Sequence, residues 1–249
     1  TRLASMEIIL LRATVKYARA GLYPMLVIAH RGASSAAPEN SIEAFEKAIS
    51  LGADGIELDV RSTSDGIAVV MHDPSLKRTT GMKLLVSKAT AANVGKARLS
   101  NGESVPTMEE VLGAFGGEAI IYAELKDRKS AIEVERLVEK FPGARITVSS
   151  FDPHALDDCA RLPKALLWDK RGSPVHAALR HGCSEIHLRL RRATGGLVRE
   201  AHGREIRVIV WDVRNPLDVA RAMEIGADGL IIDDVMMAIG IISRIGKNI

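Results

Sequence analysis

From residue 25 onward, short unbroken apolar runs alternate with stretches of helical period. The runs Leu26–Ala29, Gly55–Val60, Ile120–Glu124, Ile146–Ser149, Leu166–Trp168, Glu185–Leu188, Val208–Trp211 and Gly229–Ile232 read as strands. Helical patterns lie between most of them, for example Ile42–Ser50, Met108–Ala114, Ala131–Phe141 and Leu217–Ile225. Strands that are apolar throughout and separated by helices imply a parallel sheet covered on its outer face. Eight such units within residues 25–249 match the size of an α/β TIM barrel, (β/α)8, forming a single domain. A doubly wound open sheet is the alternative, but no G-x-G-x-x-G follows the first strand.

Two segments depart from the alternation. Ile67–His72 reads as a strand, yet it follows Arg61 too closely for a helical crossover. The turn Ser64-Asp65-Gly66 instead signals a β-hairpin after strand two, with Ile67–Met71 returning antiparallel and His72 beside Asp59. Residues 73–106 then form a short cap insertion before the next helix. At the other departure, residues 5–20 read as a helix with Ser5 as its cap, Gly21 at its end and Pro24 beyond. Arg12, Lys16 and Arg19 share one face of it. Ile8–Leu11 is too short an apolar core for a secretory signal. Residues 1–24 are therefore expected to be a leader helix or an upstream segment, with Met25 as a candidate start and the helix as a route to a homo-oligomer.

Composition narrows the function class. Apolar residues at 47% and charged residues at 26% are ordinary for a globular chain. The net charge is +3, and residues 1–24 carry all of it, through Arg2, Arg12, Lys16 and Arg19 against Glu7. The main body is formally neutral, so nucleic-acid binding finds no support. A local cluster, Arg189, Arg191, Arg192, Arg199, Arg204 and Arg207, reads as a solvated face. No run approaches the ~18 apolar residues of a membrane span, and stable membrane insertion is not expected. Cys159 and Cys183 make no disulfide framework, which favours a reducing, cytoplasmic setting.

The candidate chemistry gathers at strand ends. Glu57 and Asp59 are two apart on one strand and share a face. Near the C-terminal end of a barrel strand that face is the mouth, where such enzymes work. Glu124 and Lys126 repeat the spacing on the neighbouring strand. Three converging carboxylates without thiolates favour a hard cation, Mg²⁺ or Ca²⁺. Gly52-Ala53-Asp54-Gly55 recurs as Gly226-Ala227-Asp228-Gly229, and aligning the copies sets Glu57 against Ile231. A carboxylate where the other copy keeps a plain inward residue points to function. His30-Arg31-Gly32 follows the first strand and His72-Asp73-Pro74 ends the hairpin. Two histidines at one mouth can act as general acid and base, while Arg31 offers a fork for phosphate. His154, His176, His181, His187 and His202 are expected to have ordinary roles.

His30-Arg31-Gly32, Pro38-Glu39-Asn40-Ser41, Glu57-Leu58-Asp59-Val60, His72-Asp73-Pro74, Arg78-Thr79-Thr80-Gly81, Pro106-Thr107-Met108-Glu109-Glu110, Glu124-Leu125-Lys126 and Val210-Trp211 occur in that order. The series closely resembles the glycerophosphodiester phosphodiesterase family from Met25 to Asp234. The resemblance implies a TIM barrel that hydrolyses small glycerophosphodiesters to sn-glycerol 3-phosphate and an alcohol. It implies one divalent metal held by Glu57, Asp59 and Glu124, and acid–base catalysis by His30 and His72. It implies phosphate binding by Arg31 and Lys126, with Trp211 lining the substrate pocket. The chain departs from the family pattern at Ser41, at Asp212-Val213-Arg214 and at Ile232-Asp233-Asp234. Asp233 is expected to cap the final helix. Two other readings stand beside this one: a related phosphodiesterase acting on lysophospholipids or phosphoinositides, and a non-catalytic phosphate-binding barrel. The few aromatics of the short insertion favour small substrates, and the intact set of histidines and carboxylates favours catalysis.

Overall fold

The computed structural model describes residues 25–246. The leader helix over residues 5–20, and any oligomer contact through it, lie outside the described residues. Among the described residues there are nine strands: β1 (Leu26–His30), β2 (Gly55–Ser62), β3 (Ala68–Val70), β4 (Ile120–Leu125), β5 (Arg145–Ser150), β6 (Lys164–Trp168), β7 (Glu185–Arg189), β8 (Arg207–Val213) and β9 (Gly229–Ile232). Eight run parallel in the order β1, β9, β8, β7, β6, β5, β4, β2, and β1 also pairs with β2, so the barrel closes. The helices between them are α1 (Ile42–Ser50), α2 (Met108–Phe115), α3 (Arg128–Val138), α4 (Pro153–Asp157), α5 (Pro174–Arg180), α6 (Gly195–His202), α7 (Pro216–Ile225) and, after β9, α8 (Val235–Gly246).

Local chemistry sets the helix starts. The Ser41 side chain accepts from the Ala44 amide at the start of α1. Thr107 and Glu110 cap α2 reciprocally, and Asn215 precedes Pro216 at the start of α7. Each such cap contributes about 1 kcal/mol. Asp127 accepts from the Ser130 amide, so α3 begins at Arg128 and ends at Val138, three residues earlier at both ends than the apolar period implied. The capping oxygen outweighs the apolar pattern there.

Period two divides each strand between two environments. On β2, Ile56, Leu58 and Val60 face the helices and are fully buried in the main core. Glu57 and Asp59 alternate with them and are buried as well. The barrel interior thus combines Ile28, Tyr122, Ile209 and Ile231 with the polar Glu57, Thr147, Ser149, Glu185 and His187.

The repeated Gly-Ala-Asp-Gly has one structural use in both copies. Gly52 and Gly226 carry φ of 90° and 78°. Asp54 Oδ2 accepts from the Val27 amide at 2.8 Å, and Asp228 Oδ2 accepts from the Val208 amide at 2.6 Å. Each aspartate fastens the foot of an adjoining strand. A Cβ on Gly55 would lie 2.8 Å from the Ile120 carbonyl oxygen, and one on Gly229 would lie 2.9 Å from Leu26 Cβ.

The hairpin is present. β3 runs antiparallel to β2, with Val60 opposite Val70 and Ser62 opposite Ala68. Gly66 turns with φ 81°, and Thr63 closes the loop by donating its amide to the Ile67 carbonyl at 3.0 Å. The register sets Met71 against Asp59, whose carbonyl accepts from the Met71 amide at 2.8 Å. Met71 rather than His72 therefore lies opposite Asp59, one position from the expected register, and His72 follows it. Residues 73–106 fold over this edge with a small core of their own, in which Leu76, Val86, Val94 and Val105 join Val69 and Met71.

Candidate active site

The C-terminal strand ends surround a cavity of about 300 Å³. His30, Arg31, Glu57, His72, Glu124, Lys126 and Trp211 all line it. Asp59 is buried beneath them, 1% exposed. All eight residues singled out from the sequence are thus in one place. Parallel register explains the convergence: His30 pairs with Glu57, and Asp59 pairs with Glu124.

Glu57, Asp59 and Glu124 each bring an oxygen within 4.8 Å of the others, an arrangement that could hold a metal ion. Only oxygen donors are offered, and two of the three side chains are buried. That donor set fits a hard divalent cation. Charge accumulates accordingly. Burial, reinforced by the Asp59 carboxylate, pushes the Glu57 carboxyl up to about 7. Asp59 moves the other way: burial opposes its ionisation, but Lys126 and Arg31 outweigh it and hold the carboxyl below its usual range. Lys126 Nζ lies 2.8 Å from Asp59 Oδ1 and also donates to Glu124 Oε1. Arg31 Nε is 3.1 Å from Asp59 Oδ2, and the Asn40 amide donates to the same oxygen at 2.8 Å. Arg31 and Asn40 both sit at φ 57°. Strained backbone of this kind persists where surroundings over-determine it. Here the Arg31 amide donates to Glu57 Oε2 at 3.1 Å.

Both histidines use Nδ1 on a carboxylate. His30 Nδ1 lies 2.6 Å from Asp233 Oδ1, and His72 Nδ1 lies 2.7 Å from Asp73 Oδ1. Burial opposes protonation of His30, but Asp233 and Glu57 prevail and raise its pKa. The expectation for Asp233 is corrected here. Asp234 caps α8, accepting from the Met237 amide at 3.0 Å, while Asp233 turns into the pocket and also accepts from Ser34 Oγ. The local pattern had placed the cap at Asp233; closure of β9 onto β1 instead brings Asp233 to His30.

A second arrangement was not foreseen. Arg78, in the insertion, grips Asp73 through Nε at 2.7 Å and Glu39 through both terminal nitrogens at 2.7 Å. Glu39 in turn accepts from Arg31 at 2.9 Å. Charge-assisted contacts therefore connect the carboxylate behind His72 to Arg31. In the arginine cluster Arg191, Arg192, Arg199, Arg204 and Arg207 are exposed, as a solvated face requires, and Arg189 is half-buried. Arg189 and Arg192 converge on Asp169, Arg189 lies 4.5 Å over the Trp211 ring, and Arg207 pairs with the buried Glu185. His187, expected to be ordinary, is fully buried and lines the pocket.

Fold and site define the class: a (β/α)8-barrel enzyme whose pocket combines an acidic cluster, two cations and two carboxylate-held histidines. Residues 30–237 match the glycerophosphoryl diester phosphodiesterase family. A glycerophosphodiester phosphodiesterase of Caldanaerobacter subterraneus is 32% identical over 248 residues, covering 89% of this chain and 99% of the relative. The crystal structure of glycerophosphodiester phosphodiesterase from Thermotoga maritima superposes with TM-score 0.78 at 29% identity, covering 88% of this chain and 98% of that one. An Oleispira antarctica phosphodiesterase, solved with its product sn-glycerol-3-phosphate, has the same fold, with TM-score 0.81 at 22% identity over 88% and 96% of the two chains. The chain belongs to the glycerophosphodiester phosphodiesterase family, and its activity is that of a phosphoric diester hydrolase.

Proposed function

We propose that the chain, acting through one catalytic domain over residues 25–249, hydrolyses small glycerophosphodiesters to sn-glycerol 3-phosphate and an alcohol. The observation that carries this is the acidic cluster Glu57, Asp59 and Glu124 sharing one cavity with His30 and His72. A Mg²⁺ or Ca²⁺ held by those carboxylates would supply neutralisation of phosphate charge and a lowered pKa for the attacking hydroxyl. Arg31 and Lys126 line the same cavity and bind the phosphate. Each histidine gives Nδ1 to an aspartate and is left with Nε2 for proton transfer. One takes the nucleophile's proton and the other returns a proton to the leaving alkoxide. Trp211 forms an apolar wall, with Phe151 edge-on at 6.0 Å.

The product bound to the Oleispira antarctica enzyme supports the substrate class. Among the described residues, no helix is long and apolar enough to cross a membrane. The two unpaired, buried cysteines agree with a cytoplasmic setting. The test is hydrolysis of glycerophosphocholine and glycerophosphoethanolamine, with enzymatic detection of glycerol 3-phosphate. Product should form with Mg²⁺ or Ca²⁺, vanish with EDTA and return when the metal is restored. Undiminished turnover in EDTA would refute the metal assignment, and no glycerol 3-phosphate from either substrate would refute the reaction.

A further inference from the structure

The pocket has two unlike halves. Chemistry is concentrated on β1, β2 and β4. The opposite wall, from β5, β6 and β8, is made largely of Phe151, Leu167, Trp211 and Val213. On the floor beneath that wall lies His187 from β7, 0% exposed. The reaction proposed above does not use it.

Its contacts leave one ring nitrogen without a partner. His187 Nε2 lies 3.2 Å from Glu185 Oε2, two residues earlier on the same inward face and so deeper in the barrel. Glu185 also accepts from Arg207. Burial favours the neutral acid, but the His187 hydrogen bond and Arg207 outweigh it and keep the Glu185 carboxyl below its usual range. An ionised carboxylate only accepts, so the proton between them resides on Nε2. Nδ1 is left for another partner. It is buried and has no hydrogen-bond partner. With Nε2 directed down the barrel, Nδ1 lies on the ring edge nearer the mouth. Tyr122, whose ring centroid is 5.5 Å away, supports the imidazole from the side.

We propose that His187 Nδ1 hydrogen-bonds a hydroxyl of the substrate's glycerol, so that His187 selects glycerol where Arg31 and Lys126 select phosphate. This rests on the reading of the pocket as a phosphodiester site. A buried ring nitrogen with no partner demands one from the ligand. Arg31 and Lys126 follow β1 and β4, on the other half of the pocket. A glycerol hydroxyl both donates and accepts, and its methylenes suit the walls of Phe151, Leu167 and Trp211.

Two substitutions separate this role from support of the barrel. His187→Gln keeps an amide near Nε2 to donate to Glu185 and removes the polar atom at Nδ1. His187→Asn places an oxygen near Nδ1 and gives up the contact with Glu185. Calorimetric titration with sn-glycerol 3-phosphate and, separately, inorganic phosphate, in Mg²⁺, reads the outcome. His187→Gln is expected to weaken glycerol 3-phosphate about tenfold, the size of one hydrogen bond, and to leave phosphate within about twofold. His187→Asn is expected to stay within about threefold for both. The proposal is overturned if His187→Gln binds glycerol 3-phosphate as the unaltered protein does, or if it weakens both ligands equally. If Lys126→Met leaves phosphate affinity unchanged, the phosphodiester reading fails, and this proposal with it.

Discussion

At the scale of single residues, the site turns on what holds each side chain rather than on which side chains are present. Glu57, Asp59, Glu124, His30, His72, Arg31, Lys126 and Trp211 were legible because strand period and motif order place them at one mouth. Asp233 was not, because a carboxylate just ahead of a helix has the same local pattern whether it caps that helix or faces inward. Its contact with His30, 2.6 Å long, joins residues 203 apart in the chain. Asp233→Asn removes the charge and keeps the shape. It should lower kcat by about 10–100-fold, with little effect on KM or on the thermal midpoint. Asp233 raises the His30 pKa against the opposing effect of burial. The limb of the pH–rate profile governed by His30 should therefore move to lower pH in the variant. An unchanged limb would mean that Asp233 does not act through His30.

At the scale of elements, the barrel alternation and the hairpin were readable, and the reason for the repeated Gly-Ala-Asp-Gly was not. Repetition is visible in a sequence, but close approach of backbones is a property of pairing. Gly55 stands where β2 meets β4, and a Cβ there would lie only 2.8 Å from the Ile120 carbonyl oxygen. That oxygen belongs to backbone and cannot swing aside. Gly55→Ala should cost about 1–3 kcal/mol of stability by forcing the strands apart. Gly143→Ala is the control: a Cβ there meets nothing within 4 Å, and the change should be neutral or stabilise by up to ~1 kcal/mol. Urea denaturation of the two variants checks the contrast, and equal midpoints would remove the packing explanation. The insertion shows the same limit of legibility. Arg78 was visible as part of a motif, but its bridge from Asp73 to Glu39 depends on how residues 73–106 fold back over the β2–β3 edge.

At the scale of the whole molecule, the buried charges set a pH dependence that metal should reverse. In metal-free protein, burial and the neighbouring carboxylates raise the Glu57 carboxyl to about 7, well above an unfolded value near ~4.3. Between those values the folded state keeps a proton that the unfolded state has lost. Stability then falls as pH rises, because the folded state binds more protons. His30 acts in the same sense: its raised pKa gives stability that is complete below about pH 6.5 and is lost as pH climbs through the folded value. Glu185 acts oppositely. Its lowered pKa gives stability that is present above about pH 4.3 and lost as acid is added. Metal-free protein should therefore be most stable at about pH 4.5, with thermal midpoints in EDTA declining as pH rises from there to about 8. A divalent cation is expected to reverse the alkaline decline, because it would bind the ionised carboxylates of the folded state alone. At about 100 times its Kd it adds ~2.7 kcal/mol, worth roughly 5–10 °C in a chain of this size. Glu57→Gln removes the proton equilibrium and one ligand together. In EDTA it should flatten most of the decline above pH 6, and Mg²⁺ should raise its midpoint far less. A midpoint in EDTA that instead rises from pH 6 to 8, or a Mg²⁺ response unaltered in Glu57→Gln, would show that the acidic cluster is not the source of the coupling.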